Sequence, residues 1–435
     1  MRGFHQLETL QFVDVPGPKS ADDECLSNIQ GTVILHFSFA FKQDPELGRQ
    51  LLKLMKVESG LIKPFSLALL FALCRAGRFE QLVNEFLKSL VSHSFSLKAR
   101  LESSSWVRSH EALLPGCDMP QLLVETLRCG SCGLDHILPA FIQFGLLLIE
   151  TKSSKQAQAE FLDLGCTLVL EIFRHHEVVR SEILDQLLQR LLLKGQSDGI
   201  VRILNTIIKS NLLLALEHTH RFRELIECVS QLPPTSAVAV LQAMEPLFCA
   251  KPDLLDHLML VLRKSLFCTE ANIRSVAVDG LLFLMMFAKR DVPSVKEHQA
   301  PLREQISLEV LGLLRRCLSQ SVESRERLYD GLVSSVQLHD ELAEPALELL
   351  LSHLGRWCEH DASRSPPLHV EKCIGMEHSA VRYVTHGSSA RQICLCQVAL
   401  FCAYAQVDRT AGSSAVDDSS LHAHLKLFSL GKACT

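Results

Sequence analysis

The stretch Lys251-Pro-Asp-Leu-Leu-Asp-His-Leu-Met-Leu-Val-Leu-Arg-Lys-Ser-Leu-Phe267 carries the pattern that decides the fold. Its apolar residues recur every three or four positions, which is the spacing of one face of an α-helix. That face comprises Leu254, Leu255, Leu258, Met259, Leu262 and Leu266. The helix is opened by Pro252 or capped by Asp253, since both residue types favour a helix start. The pattern predicts an amphipathic helix whose apolar face lies in a core.

The opposite face of this helix is polar, with one exception. Its polar members are Asp256, His257, Arg263 and Lys264. Leu260 lies on the same side, one turn before Lys264. An outward leucine beside a lysine suggests a surface that another protein covers. The simpler interpretation is an ordinary solvated lysine, because lysines are mostly exposed, and the helix alone leaves both interpretations open.

The same helical spacing continues along most of the chain from Ile29, with short polar connections between the apolar runs. Aromatic residues are only 6% of the 435 residues, and glycine (21) and proline (16) are sparse. This composition favours helices over sheets. No fixed period identifies a named repeat. We therefore predict an all-α fold, an α-solenoid of antiparallel helix pairs (HEAT/ARM-like) with an interspersed helical domain.

Composition excludes several classes of protein. A net charge of −5 is too mild for a strongly basic nucleic-acid module, although a local basic patch stays possible. The 16 cysteines are scattered through apolar stretches and no signal peptide follows Met1, which fits a reducing compartment. The apolar runs Ile137–Ile149 and Gly280–Ala288 are shorter than the ~20 residues that span a bilayer. We expect a soluble chain with no membrane contact.

The best candidate for a metal site is Cys129-Gly-Ser-Cys132 with His136 nearby. A structural zinc site needs four ligands, usually from two such pairs. The remaining cysteines that could complete it are distant or wrongly spaced: Cys117, Cys394 and Cys396. A plain loop with two thiols is therefore the favoured interpretation, and no metal is expected.

Motifs for catalysis are missing from the sequence. It has no glycine-rich phosphate loop, no Gly-x-Ser-x-Gly elbow and no His-Glu-x-x-His. We expect a protein that is not an enzyme, with no cofactor and no small-molecule substrate. Two Ser-Gln pairs, at Ser230 and Ser319, are of the kind that DNA-damage kinases select. A dipeptide is weak support, and Ser319 ends a predicted helix, where a phosphate opposes the helix dipole.

Several segments together carry a family resemblance. They are Gly31-Thr-Val-Ile-Leu-His36, Phe39-Ala-Phe-Lys42, Glu46-Leu-Gly-Arg49, Pro64-Phe-Ser-Leu-Ala-Leu-Leu70, His176-Glu-Val-Val-Arg180, Leu260-Val-Leu-Arg-Lys264, Leu314-Arg-Arg-Cys-Leu-Ser-Gln320 and Leu328-Tyr-Asp-Gly331. The chain resembles the Fanconi anaemia group I family collinearly from Ile29 to Tyr404. The resemblance covers a middle portion of a longer family chain, so a fragment, a splice form and an incomplete gene model are all open.

The resemblance implies a non-catalytic scaffold of DNA interstrand crosslink repair in the nucleus. Such a protein pairs with its group D-two paralogue to clamp duplex or branched DNA. The Fanconi core ubiquitin ligase and its conjugating enzyme attach one ubiquitin to a family lysine that maps onto Lys264. The residues His257, Leu260 and Arg263 would then belong to the partner interface around the acceptor. The family's Ser-Gln cluster has no counterpart in the loop Lys289–Gln305, which puts phospho-control in doubt.

With this resemblance the chain divides into seven predicted segments. They are a flexible leader (1–28), the end of a first solenoid (29–60), a helical domain (61–152), a second solenoid carrying the acceptor (153–290), a loop (291–304), the start of a second helical domain (305–407) and a disordered tail (408–435). Fold alone does not determine function, because solenoids host many. The alternative is a generic helical-repeat adaptor that binds a protein partner.

Overall fold

Every regular element in the computed structural model is helical across the residues it describes, which are 21–57, 62–103, 118–128, 134–152, 155–194, 198–289 and 300–354. The α-helices are α1 (Ala21–Gln43), α2 (Pro45–Val57), α3 (Pro64–Cys74), α4 (Glu80–Ser103), α5 (Met119–Arg128), α6 (Leu138–Ile149), α7 (Lys155–His175), α8 (Arg180–Lys194), α9 (Asp198–Ser210), α10 (Leu212–Glu217), α11 (Thr219–Cys228), α12 (Pro234–Ala243), α13 (Glu245–Ala250), α14 (Pro252–Leu266), α15 (Ala271–Lys289), α16 (Ala300–Cys317), α17 (Val322–Leu338) and α18 (Ala343–Leu354). The predicted all-α fold is confirmed.

The chain forms two compact units, and the division falls after Gln186, within α8. In the first unit α3 is the central helix and packs against α1, α4, α5 and α6. All nine residues from Ser66 to Cys74 are buried. The ring of Phe71 stacks on Phe141 at 3.6 Å and meets Phe144 edge-on at 5.8 Å. A helix that is apolar all round is therefore explained by its position inside a bundle.

The hairpin of α6 and α7 brings two backbones into direct contact. A short connection joins the helices, which requires them to run antiparallel. A Cβ atom at Gly165 would lie 2.6 Å from the carbonyl oxygen of Gly145. Any side chain there would have to push the helices apart, since backbone cannot yield as a side-chain tip does. The two glycines thus set the helix spacing.

In the second unit α15 is the central helix, packed against α12, α14, α16 and α17. It is long and apolar enough to cross a membrane by length and composition, although 61% of the apolar window is buried inside the protein. The apolar run is thus longer than the predicted Gly280–Ala288. Its neighbours account for that composition, because a helix surrounded by others has apolar residues on every side.

A bidentate ion pair joins α15 to α17. Arg327 donates from Nε and Nη2 to the two carboxylate oxygens of Asp279, at 2.8 and 2.6 Å. Hydrogen bonding to Asp279 raises the pKa of the Arg327 guanidinium. The Asp279 carboxylate is only 9% exposed. A buried carboxylate costs free energy unless it is paired, so this pair, called the seam pair below, fixes how α17 lies on the core helix.

Several helix ends differ from those that the sequence predicts. Helix α1 begins at Ala21, inside the predicted leader, and α16 begins at Ala300, inside the predicted loop. Alanine and glutamate are good helix formers, so helices extend beyond the apolar pattern that reveals them. The sequence predicts a loop-rich connection over 98–120, but helix α4 continues to Ser103.

The apolar pattern of the sequence predicts one helix over 213–229 and another over 235–248, but each is divided into two helices. The stretch 213–229 divides at His218, whose ψ of 33° leaves the helical range. The stretch 235–248 divides at Met244, because Pro246 in the first turn of α13 has no N–H to continue the bonding. The predicted segment boundaries stay predictions. The predicted last helix (390–406) and the tail (408–435) lie outside the described residues.

Candidate interaction surface around Lys264

Helix α14 begins as one of the two predicted alternatives requires. Pro252 occupies its first turn, where a missing N–H costs nothing. The cap position is Lys251, in an extended conformation and without a side-chain capping bond. Asp253 lies inside the first turn instead, where its charge is favourable to the helix dipole. The proposed Asp253 cap is therefore wrong, and the Pro252 start is correct.

The inner face of α14 is the one that the spacing predicts. All six predicted residues, from Leu254 to Leu266, are buried, and the most exposed of them, Met259, is 7% exposed. They contact α11, α13 and α15. Leu262 also fills the space over Gly280 of α15, where an added Cβ would lie 2.6 Å from a Leu262 methyl group. This side of the helix holds the unit together.

The outer face presents apolar side chains beside Lys264. Leu260, four residues before it, is 61% exposed, and Phe267, three residues after it, is 60% exposed. Lys264 itself is exposed. Residues three and four apart are neighbours on a helix surface, so the amine lies between two large apolar groups. We call Leu260, Lys264 and Phe267 the acceptor strip, after the role that the family resemblance implies for Lys264.

The two cations at this part of α14, Arg263 and Lys264, differ in their partners. Arg263 forms an ion pair with Glu309 of α16, and their side chains are 49% and 33% exposed. Lys264 has no ion-pair partner among the described residues. Leu308, next to Glu309, is 67% exposed. The strip thus borders a second helix that also exposes a large apolar side chain.

His257, the remaining predicted interface residue, faces a neighbouring helix. Its Nε2 lies 3.4 Å from a carboxylate oxygen of Glu227 on α11, and its side chain is 22% exposed. It lies nearly two turns before Lys264. The structure therefore places Leu260 and Arg263 close to the lysine, and His257 at the rim between α14 and α11.

Polar contacts hold the turn that follows α14. Arg274 donates from Nη1 to the carbonyl oxygens of Cys268 and Thr269, at 3.0 and 2.6 Å. The Gln320 amide donates to the carbonyl oxygen of Leu266 at 3.0 Å. Carbonyl groups at a helix end have no partner within the helix, and these donors supply one. The acceptor strip is therefore attached to a fixed helix end.

The two serines of the Ser-Gln pairs lie in different environments. Ser230 is half-buried in the 3-10 turn Val229–Gln231. Ser319 is exposed and donates to the carbonyl oxygen of Arg316 at 2.8 Å. It lies between the end of α16 and the start of α17, hence between helix ends of opposite polarity. The dipole argument against a phosphate at Ser319, which considers α16 alone, is therefore incomplete.

The candidate zinc residues Cys129 and Cys132 lie outside the described residues, as do Cys117, Cys394 and Cys396. His136 belongs to a short 3-10 helix, and its carbonyl oxygen accepts a hydrogen bond from Arg75. In the described ranges no three His, Cys, Asp or Glu side chains come close enough to hold a metal. Burial raises the pKa of the Cys74 and Cys317 thiols to about 12, so both thiols stay protonated.

Sequence reasoning missed Phe267, Glu309 and Leu308. Phe267 ends the quoted stretch, and its spacing of three residues from Lys264 would have indicated a shared face. The other two are on α16, and no local pattern connects them to α14. They become visible only once the Arg263–Glu309 pair shows which helices are neighbours.

Three domain models of one family match the chain in order. They are described as FANCI helical domain 1 (residues 46–128), FANCI solenoid 2 (137–282) and FANCI helical domain 2 (286–385). Lys264 lies within the solenoid 2 match.

Two relatives match most of the chain. The Fanconi anemia group I protein of Gallus gallus is 29% identical over 422 residues, or 85% of this chain and 31% of its own length. The Fanconi anemia group I protein homolog of Mus musculus is 30% identical over 399 residues, which is 82% of this chain and 30% of its own length. The chain therefore spans just under a third of the length of these relatives. The crystal structure of an engineered protein covers 88% of this chain at 14% identity, with a TM-score of 0.20.

Proposed function

The chain belongs to the Fanconi anaemia group I family, and from this premise we propose that it is a non-catalytic scaffold of DNA interstrand crosslink repair that receives one ubiquitin on Lys264. It pairs with the group D-two paralogue, and the pair clamps duplex or branched DNA in the nucleus. The observation that supports this proposal most is the acceptor strip. An exposed amine without an ion-pair partner among the described residues lies between two exposed apolar side chains.

The apolar members of the strip support a protein partner. Leu260 and Phe267 are each about three-fifths exposed, whereas Leu254, Leu255, Leu258, Met259, Leu262 and Leu266 of α14 are buried. Large apolar groups that cluster at a surface are typical of interaction sites. In the proposed pair the paralogue covers Leu260 and Phe267, and their burial contributes to the affinity.

The chemistry of attachment requires an accessible, unprotonated amine. The lysine nitrogen attacks the thioester carbonyl that joins ubiquitin to the conjugating enzyme's cysteine. The nitrogen–carbon bond forms, the carbon–sulfur bond breaks, the thiolate leaves and the amine's proton passes to solvent. An exposed lysine without a paired carboxylate can take part without first breaking an ion pair. Lys264 meets this condition in the described part of the chain.

DNA contact is the part of the proposal that rests on family membership alone. The net charge of −5 means that any DNA surface must be local. Phosphate contacts carry no sequence information and release counterions. We therefore expect binding that is insensitive to base sequence and weakens with salt.

A reconstituted ubiquitination reaction tests the proposal. The full chain is mixed with the paralogue, duplex DNA, the core ligase and its conjugating enzyme, and the modified site is read by mass spectrometry. We compare the wild type with Lys264→Arg and with Lys209→Arg, a matched change at an exposed lysine of α9. We expect a single ubiquitin on Lys264, lost in Lys264→Arg and kept in Lys209→Arg. Undiminished modification of Lys264→Arg would contradict the proposal.

A pull-down separates the proposal from a generic adaptor. An adaptor has no preference for the group D-two paralogue, whereas the proposed scaffold binds it. Pull-down of the paralogue by the wild-type chain, measured against an unrelated helical-repeat protein at the same concentration, distinguishes the two. Equal recovery of the paralogue by both baits would favour the adaptor.

A further inference from the structure

Local sequence leaves the acceptor lysine without an acidic neighbour on its own helix. The positions three and four residues away hold Leu260, Val261, Phe267 and Cys268. Side chains at these spacings are the ones that pair along a helix. A carboxylate for Lys264 must therefore come from another helix.

Glu309 is the carboxylate that α16 brings to this end of α14. Its own helix offers it no cation at the pairing positions, which hold Gln305, Ile306, Gly312 and Leu313. It pairs instead with Arg263, the residue directly before the acceptor. Consecutive Cα atoms are about 3.8 Å apart, and a lysine side chain is longer than that distance. Lys264 is next to Arg263 in the chain, so it is the cation that could replace the arginine at Glu309, and the variants described below test whether it does.

Several other charged groups on the elements near α14 have partners of their own. On α11, Glu227 faces His257 and Glu224 pairs with Arg221. On α15, Asp279 belongs to the seam pair, and Arg274 binds the carbonyl groups of the turn. On α16, Arg315 pairs with Glu348, and Arg303 lies over the ring of Phe287. The other titratable groups on or next to these elements are Glu245, His220, Arg223, Glu270, Lys289, Glu304 and Arg316.

We infer that Arg263 is a positioning residue for the reaction at Lys264, because it occupies Glu309 and so keeps the acceptor amine unpaired. The inference rests on the proposed function, in which Lys264 is the acceptor. An arginine suits this role because its guanidinium is always charged and presents a planar fork to a carboxylate. If Glu309 paired with Lys264, it would stabilise the charged ammonium, which cannot attack a thioester. Such a pair would also draw the Lys264 side chain onto α16.

The test compares four forms of the full chain in the ubiquitination reaction. They are the wild type, Arg263→Gln, Arg263→Lys and the double variant Arg263→Gln/Glu309→Gln. We expect Arg263→Gln to lower the rate at neutral pH by about two- to fivefold, the size of an exposed ion pair. Its pH–rate curve should move to higher pH. Arg263→Lys should retain most of the rate, and the double variant should recover it.

A second readout needs neither ligase nor partner. Each form is labelled briefly with acetic anhydride across a pH series, and acetylation of Lys264 is compared with that of Lys209 in the same sample. We expect slower labelling of Lys264 in Arg263→Gln and wild-type labelling in the double variant. Equal labelling of the wild type and Arg263→Gln at every pH would overturn the inference. So would a loss of ubiquitination that Glu309→Gln fails to reverse, since Arg263 would then act by touching the enzymes.

The two readouts separate the inference from the proposed function. If the ligase leaves wild-type Lys264 unmodified, the proposed function fails. The labelling result still decides whether Arg263 keeps the amine unpaired. Circular dichroism of each variant controls for folding, and little change is expected because the Arg263 and Glu309 side chains are 49% and 33% exposed.

Discussion

The seam between α15 and α17 and the outer side of α14 each use an arginine–carboxylate pair, but the two carboxylates differ in burial. At the seam, the Asp279 carboxylate is 9% exposed and accepts two hydrogen bonds from Arg327. Beside the acceptor strip, Arg263 and Glu309 are 49% and 33% exposed. Buried pairs matter to folding when broken, whereas exposed pairs contribute little. The first pair serves the fold, and the second is free to serve a function.

The apolar residues show the same contrast. At the seam, Leu282 of α15 fits against Gly331 of α17, where an added Cβ would lie 2.1 Å from a leucine methyl group. On the strip, Leu260 and Phe267 are each about 60% exposed. Tight packing is typical of a contact formed within the folded chain, whereas clustered exposed apolar side chains are typical of a surface that binds a partner.

The largest expected effect compares the two faces of α14. Leu262→Ala should lower the free energy of unfolding by about 2–5 kcal/mol, because it leaves a cavity over Gly280. Leu260→Ala, the matched change on the outer face, should stay within about 0.5 kcal/mol. Urea denaturation followed by circular dichroism measures both. Similar losses would mean that the outer leucine is part of the core and would remove the contrast.

The second prediction compares the two ion pairs. Asp279→Ala should destabilise the chain by about 1–3 kcal/mol, because Arg327 loses its partner at a mostly buried site. The expected loss of stability is smaller than for a fully buried ion pair, because the Arg327 side chain is 44% exposed. Glu309→Ala should cost about 0–1 kcal/mol. Hydrogen exchange of the α15 and α17 peptides should rise only in Asp279→Ala, and an equal rise in Glu309→Ala would contradict the division of roles.

The third prediction concerns the partner. Leu260→Ser and Phe267→Ser should each weaken binding of the group D-two paralogue by about tenfold, the loss expected for a buried apolar contact of about 1–2 kcal/mol. Leu338→Ser, at another exposed leucine of the same unit, is the matched control and should leave affinity unchanged. Titration calorimetry gives the three dissociation constants. Identical affinities for all three variants would place the interface elsewhere.

The sequence predicts the inner face of α14 because that face depends on a local property. A period of 3.6 residues places Leu254, Leu258 and Leu262 on one side whatever helix packs against them. All of them are fully buried. The family resemblance is what points to Lys264 as the acceptor. Helical spacing alone predicts the outward position of Leu260.

Other features depend on which helices meet and could not be read from the chain. The pairing of Arg263 with Glu309 requires α14 and α16 to be neighbours, and nothing in either sequence indicates that. The contact of Gly145 with Gly165 depends in the same way on the crossing of α6 and α7. The apolar pattern does not predict the start of α1 at Ala21. Capping and propensity fix a helix end only weakly, whereas burial of the apolar face fixes the middle of the helix.

The central claim, that the outer face of α14 is made for a partner, is tested most directly by carbene footprinting of the full chain with and without the group D-two paralogue. Labelling of each side chain is read by mass spectrometry at saturating paralogue. The account predicts strong protection of Leu260 and Phe267, with Leu338 unchanged. Full labelling of Leu260 and Phe267 in the saturated complex would contradict it.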